Sequence, residues 1–291
     1  MTEDTPTTRP LRALAPDAFA AWDEVVASVP VAIGPARARD VEALVVALLD
    51  PSRADAGAPA RPHGLAPVVA EFAEQFVLDV SSCTDEQRTA AMAELGGDAF
   101  PFVQVLYVAD LGTRMRAAWH QLLGTDPGTT VDASVELWPA LESFMSTVAR
   151  MDALDPLTTE IVRLRGARAH NCRLCKSLRN VRAANDGADE TVYDAIDHFE
   201  TSTLSARHQV ALRLVDAMLW QPTHYPQDLA PALRSSFTDG EIAELVLDVA
   251  RNAANKIAVA FGADQAHVSE GVEFYDVDDR GELVYGLTPS R

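Results

Sequence analysis

The sequence predicts an all-α protein, on three observations. Alanine, leucine, aspartate and arginine are abundant while aromatic residues make up only 7% of the 291 residues, a composition typical of helices. Apolar residues recur at helical spacing almost throughout. Proline- and glycine-rich stretches punctuate that pattern at a few places only. With 48% hydrophobic residues the chain has ample material for a packed core.

Taken in order, residues 1–10 are polar and acidic and read as a disordered tail. A first apolar helix enters through Leu14-Ala-Pro-Asp-Ala-Phe-Ala-Ala-Trp22, and a second contains Asp40-Val-Glu-Ala-Leu-Val-Val46. Pro51 to Pro62 reads as a linker. Cys83-Thr-Asp-Glu leads into a helical stretch ending near Gly124, and Gly124 to Asp132 is a second linker. Leu137-Trp-Pro-Ala-Leu-Glu-Ser-Phe-Met145 opens another helix with the same Leu-x-Pro start as the first. Asp155-Pro156 then marks an N-cap followed by the helical position where proline fits. Phe237-Thr-Asp-Gly-Glu starts a late helix, whose Thr238 and Glu241 make a capping box. At the end, Val272–Val277 and Glu282–Tyr285 flank Asp278-Asp-Arg-Gly281, the pattern of a small β-hairpin and by position a peripheral appendage.

Three features recur in the same order in the two halves. The Leu-x-Pro starts match, Asp40–Val46 parallels Thr158–Leu164, and Cys83-Thr-Asp-Glu echoes Phe237-Thr-Asp-Gly. An internal duplication is therefore expected, with a tail over 1–10, a first repeat over 11–135, a second over 136–265, and an extension carrying the hairpin over 266–291. The first repeat lacks the cysteine-bearing stretch of the second.

The net charge of −19 argues against nucleic acid and anionic membrane surfaces, which attract basic chains. No apolar run is long enough to span a bilayer, and the acidic start does not read as a secretion signal. A cytoplasmic location is the expectation, and there a paired thiol is more often redox-active or metal-binding than a structural staple.

Cys172 and Cys175 form that pair, in Ala169-His-Asn-Cys-Arg-Leu-Cys-Lys-Ser-Leu-Arg179, and are two of only three cysteines. Gly166 to Asn171 can break the preceding helix, with Asn171 a plausible N-cap for the next. The two thiols would then sit in a first helical turn, where free N–H groups stabilise a thiolate. Extended as a helix, residues 172, 175, 179 and 182 share a face, so Arg179 and Arg182 would lie behind the sulfurs. Upstream, Glu160 falls on the apolar stripe of Leu157, Ile161 and Leu164. It is either a core-facing carboxylate suited to proton transfer or one arm of an ion pair with Arg163 or Arg165. Zinc would need two further ligands from His170, His198, His208 and His224. None of them forms a second pair at metal spacing, and flanking arginines repel a cation.

Glu160, followed twelve positions later by Cys172-Arg-Leu-Cys175, makes the chain resemble the AhpD-like/carboxymuconolactone decarboxylase superfamily of all-helical proteins. The resemblance covers 137–262 well, including Phe237–Asn255 as the family's final core helix, and 11–124 weakly through the duplication. It implies an AhpD-like multihelical fold, Cys172 and Cys175 as the redox pair, and Glu160 as a proton-relay carboxylate. Asn252, on the apolar face with Leu245 and Val249, would be a buried amide in a supporting role. The family's redox enzymes usually carry histidines where this chain has Leu174 and Arg179. Arg179 can stabilise a thiolate but not shuttle protons, which leaves His170 as the nearest imidazole.

The implied function is a thiol-dependent hydroperoxide reductase cycling between dithiol and disulfide, without cofactor or metal. Its substrate would be a hydroperoxide, its reductant an external dithiol or thiol protein, and its assembly a homo-oligomer, as is usual for this scaffold. Two other readings stand beside it. A decarboxylase-like enzyme needs acid–base groups and no paired thiols. A non-catalytic redox sensor would use the disulfide to switch a surface.

Overall fold

The computed structural model describes residues 10–50, 64–124, 126, 128 and 130–290. The tail expected over 1–10, apart from Pro10, and the linker expected over 51–62 lie outside the described residues, as do 125, 127 and 129 of the second linker.

Among the described residues the chain is all-helical apart from one small sheet. The first half comprises α1 (Pro16–Ile33), α2 (Pro35–Leu49), α3 (Pro67–Asp79), α4 (Asp85–Leu95) and α5 (Ala99–Leu122). Then come α6 (Leu137–Ala149), α7 (Pro156–Ala169), the one-turn α8 (Arg173–Lys176), β1 (Leu178–Asn180), α9 (Val181–Asn185) and α10 (Glu190–Ala195). The remainder is α11 (Ala206–Trp220), α12 (Leu229–Ser236), α13 (Asp239–Asn252), α14 (Asn255–Ala260), β2 (Glu273–Val277) and β3 (Leu283–Leu287).

Local chemistry explains most helix starts. Proline opens α1, α2, α3 and α7, where its missing N–H costs nothing. At α7 the Asp155 carboxylate accepts from the Thr158 N–H at 2.8 Å. The capping box of α13 is complete: Thr238 Oγ1 accepts from the Glu241 N–H while the Glu241 carboxylate accepts from the Thr238 N–H. Thr84 and Gln87 do the same for α4.

The core lies where α5 crosses α1, α2 and α13. Along α5, Phe102, Val103, Leu106, Tyr107 and Leu111 are fully buried, so this helix is apolar nearly all round, as a central helix must be. Each such side chain contributes on the order of 2 kcal/mol by leaving water. Helix α1 lies along α6, and α7 packs against α11 and α13. Among the described residues no helix is long and apolar enough to cross a membrane.

The hairpin forms as the sequence suggests, with Val277 opposite Leu283. It is not a peripheral appendage. Strand β2 also pairs in parallel with β1, matching Leu178 to Glu273 and Asn180 to Tyr275. Its turn is tied to α6: Gly281 has φ +84°, and a Cβ there would fall 2.2 Å from the Ser146 carbonyl oxygen. Only glycine suits that backbone and that approach. The sequence carried no mark of this docking, because strand β1 is three residues long and its partner lies more than ninety residues away.

Candidate active site around Cys172 and Cys175

Helix α7 runs to Ala169 and breaks within the expected Gly166–Asn171 stretch, ending in a Schellman motif. Asn171 takes the left-handed conformation (φ +53°), which asparagine tolerates better than most residues. The Asn171 N–H donates to the Arg168 carbonyl and the Cys172 N–H to the Ala167 carbonyl, each at 3.0 Å. Asn171 is thus the end of α7 and not the N-cap of the next helix. Its side chain accepts from Lys176 Nζ.

The N-cap of α8 is Cys172 itself, whose Sγ accepts from the Cys175 N–H at 3.2 Å. Asp264 takes the two donors before it: the Arg173 N–H reaches the Asp264 carboxylate and the Leu174 N–H the Asp264 carbonyl, both at 2.8 Å. The Arg173 side chain closes on the same carboxylate at 2.6 Å. Burial alone would raise the Asp264 pKa, but the hydrogen bonds from Arg173 hold it below the usual carboxylate range. The two cysteine Cα atoms are 5.3 Å apart and the sulfurs are joined as a disulfide, a spacing ordinary for such bonds. Cys172 is 1% exposed, whereas Cys175 is only partly buried.

The arginines do not lie behind the sulfurs. Helix α8 stops at Lys176, and Leu178–Asn180 is drawn into the sheet as β1. Arg179 is buried against the Tyr193 ring, pairs with Glu190, and donates to the Lys176 and Leu178 carbonyls. Arg182 reaches Asp276 and the Val277 carbonyl on β2. Both are structural ties between the cysteine segment and its surroundings.

Glu160 is 1% exposed and fully partnered. Its carboxylate takes a two-point bond from Arg163, at 2.7 and 2.8 Å, the Asn180 N–H at 3.0 Å, and the Tyr275 hydroxyl at 3.1 Å. The two alternatives the sequence left open therefore merge: the carboxylate faces the core and is ion-paired there. Arg163 in turn donates to the carbonyls of Cys175 (2.8 Å) and Leu178 (2.9 Å). Glu160 thus meets the cysteine turn through Arg163 rather than through a sulfur.

His170 is buried, with its Nδ1 2.8 Å from the Asn255 side-chain oxygen. Burial, reinforced by the neighbouring Lys256 charge, pushes its pKa down to about 3, so the ring is neutral. Asn252 is partly buried, and its Nδ2 has no hydrogen-bond partner. The sequence reading missed what surrounds His170. Asp110 on α5 is completely buried and holds both Arg114 (2.6 Å) and Lys256 of α14. Arg114 also donates to the carbonyls of Val77, Met218 and Leu219. Two cations share one anion in the middle of the core. The spacing of Asp110 and Arg114, one turn apart inside the apolar run of α5, is the signal that could have revealed them. Among the described residues, no group of three or more His, Cys, Asp or Glu side chains is placed to hold a metal ion.

No family model matches the chain, and no solved structure matches it. Among curated proteins it is 47% identical over 228 residues to "Uncharacterized protein Rv2313c" of Mycobacterium tuberculosis strain ATCC 25618 / H37Rv, a match covering 75% of this chain and 80% of the relative. "Uncharacterized protein MT2376" of strain CDC 1551 / Oshkosh matches to the same extent. The chain belongs to the family of these two mycobacterial proteins.

Proposed function

We propose that the protein is a thiol-dependent oxidoreductase of the AhpD-like type, reducing hydroperoxides through a Cys172/Cys175 dithiol–disulfide cycle in a reducing compartment. The observation that carries this reading is the cysteine pair itself. The two sulfurs are within bonding distance, the Cys175 residue is only partly buried, and the Cys172 sulfur is cradled by a backbone N–H.

Accessibility makes Cys175 the attacking residue. Its thiolate takes the distal oxygen of a hydroperoxide, the O–O bond breaks, and the departing alkoxide leaves as alcohol after gaining a proton. The resulting Cys175 sulfenic acid condenses with the Cys172 thiol, forming the S–S bond and releasing water. An external dithiol then attacks Cys175 Sγ and expels Cys172 as thiolate, the sulfur that accepts the Cys175 N–H. A second exchange releases the oxidised dithiol. In this cycle Glu160 is a positioning residue. It fixes Arg163, which fixes the Cys175 carbonyl.

The pairing of helices also supports the duplicated reading. Helix α5 packs on α1, α2 and α3, and α13 packs on α6, α7 and α11, with α1 against α6 and α5 against α13. On that correspondence α4 answers α12, so the Thr84 and Thr238 capping boxes mark non-equivalent helices.

A second reading, a redox switch without turnover, is favoured by the saturation of Glu160 and the remoteness of Arg179 from proton-transfer duty. One experiment separates the two. Hydroperoxide consumption with a dithiol reductant is measured for the parent, Cys172→Ser and Cys175→Ser, with the thiol state recorded by mass. A peroxidase loses turnover in both variants, and Cys175 gains oxygen in Cys172→Ser while Cys172 gains none in Cys175→Ser. Reversible disulfide formation without peroxide consumption assigns the switch instead.

A further inference from the structure

A cavity lies in the half without the cysteine pair. It has a volume of about 500 Å³ and opens between α1, α2 and α5, within the range of sites that hold drug-sized molecules. Trp22, Val26, Val105, Val108, Met115 and Trp119 provide its apolar wall.

That wall is preformed. The Trp119 ring is braced by Phe19 at 5.5 Å and the Trp22 ring by Phe144 at 5.0 Å, so each tryptophan is held by a second aromatic. Gly112 sits mid-helix in α5, where a Cβ would press on Trp22 at 3.3 Å. Glycine costs helix stability at such a position, and what it permits here is the close approach of Trp22. At one edge Arg12 donates to both Asp23 and Asp126, at 2.6–3.1 Å, tying the segment before α1, α1 itself and the segment after α5 together. Pro30, within α1, has no N–H for the Val26 carbonyl one turn earlier. A hydrogen-bond acceptor therefore lacks its helical donor on the stretch that lines the cavity.

The charge around the cavity selects the ligand class. Among the described residues, six ionisable side chains line it: Arg12, Arg39 and Arg116 against Asp23, Glu42 and Asp126. They balance, so a charged ligand gains no net attraction while an apolar one gains the burial of its surface. We propose that this cavity is a binding site for an uncharged, largely apolar small molecule, separate from the thiol chemistry.

The test is titration of the full chain with N-phenyl-1-naphthylamine, an uncharged apolar dye, read by dye emission and by quenching of tryptophan fluorescence. The expected result is saturable one-to-one binding, with 1-decanol displacing the dye at concentrations at least tenfold below those needed for decanoate or decylammonium. Ala109→Phe and Val26→Trp, which fill the cavity from α5 and from a half-exposed position on α1, should each weaken the dye at least tenfold. Their helical circular dichroism and thermal midpoints should stay at the parent values. Val26→Trp carries the test if the α5 variant folds poorly. The site assignment is overturned if binding does not saturate or if Val26→Trp binds as well as the parent, and the ligand class if decanoate competes as well as decanol. Cys172→Ser should bind the dye unchanged, so failure here and failure of the thiol reading are distinguishable.

Discussion

Replacing Glu160 with glutamine should destabilise the fold by about 3 kcal/mol, before any effect on chemistry is considered. The wild-type carboxylate neutralises Arg163, a guanidinium that is itself 8% exposed. Breaking a buried ion pair by neutralising one partner typically costs ~3–5 kcal/mol, because the other charge stays buried without compensation. Glutamine keeps an oxygen for the Asn180 N–H, so the lower end of that range applies. Arg163→Met should cost a similar amount, since it also strands the Cys175 and Leu178 carbonyls. The double variant should fall about 2 kcal/mol short of the sum, the signature of coupled partners. Urea unfolding with an unchanged slope provides the measurement. If Glu160→Gln costs under about 1 kcal/mol, or the two losses add, the carboxylate does not anchor this frame. A proton relay would instead lose peroxide turnover in Glu160→Gln at undiminished stability.

A second prediction concerns pH. Burial pushes the Asp248 carboxyl from 3.8 up to about 7, and burial together with Asp248 lifts Glu244 to about 8. An acid whose folded pKa is raised keeps its proton in the fold, so stability falls as pH rises from the unfolded value through the folded one. For Asp248 that loss is about 4 kcal/mol between roughly pH 4 and pH 7, at ~1.4 kcal/mol per unit. Asp248→Asn should therefore be nearly neutral at pH 4 and stabilising at pH 8, and equal denaturation midpoints at pH 8 would sink the argument. Thirdly, Asp264→Asn should lower stability by ~1–2 kcal/mol through its weakened bonds to the Arg173 N–H and side chain. Amide exchange at Arg173 and Leu174 should quicken at the same time. Unchanged exchange there would mean that Asp264 does not tether the cysteine turn.

What the sequence made legible was local. The start of α7 at Asp155-Pro156 and the capping box of α13 depend on residues within one turn of each other, and both are present. The helical class follows from periodicity summed over long stretches, which averages out single-residue errors. The end of the cysteine helix at Lys176, short of Arg179, was not legible. Residues 173–182 are acceptable helix formers, and they leave the helix because β2, Glu190 and Tyr193 compete for 178–180 from outside it. Glu160 shows the same limit from the other side. Its stripe position correctly indicated burial, and Arg163 was within local reach, but the Tyr275 hydroxyl and the Asn180 N–H were not.

That competition bears on the chemistry. A long helix starting at the thiols would have offered them free N–H groups and the field of many aligned peptides. Helix α8 is a single turn, too short for a substantial dipole. Of its leading donors, those of Arg173 and Leu174 are consumed by Asp264, and that of Cys175 alone reaches sulfur. Arg173 is paired with Asp264 and Arg163 with Glu160, so neither guanidinium brings an unopposed positive field to the turn, whereas Lys176, beside Cys175, is bonded to the neutral Asn171 side chain. Thiolate stabilisation at Cys172 therefore rests on one hydrogen bond and on the Lys176 charge in the same turn. A frame of that kind favours a disulfide that forms and reopens in place over a thiol primed for rapid attack. For the proposed cycle, the decisive quantity is the rate at which Cys175 is oxidised, compared with the rate at which Cys172 then closes on it.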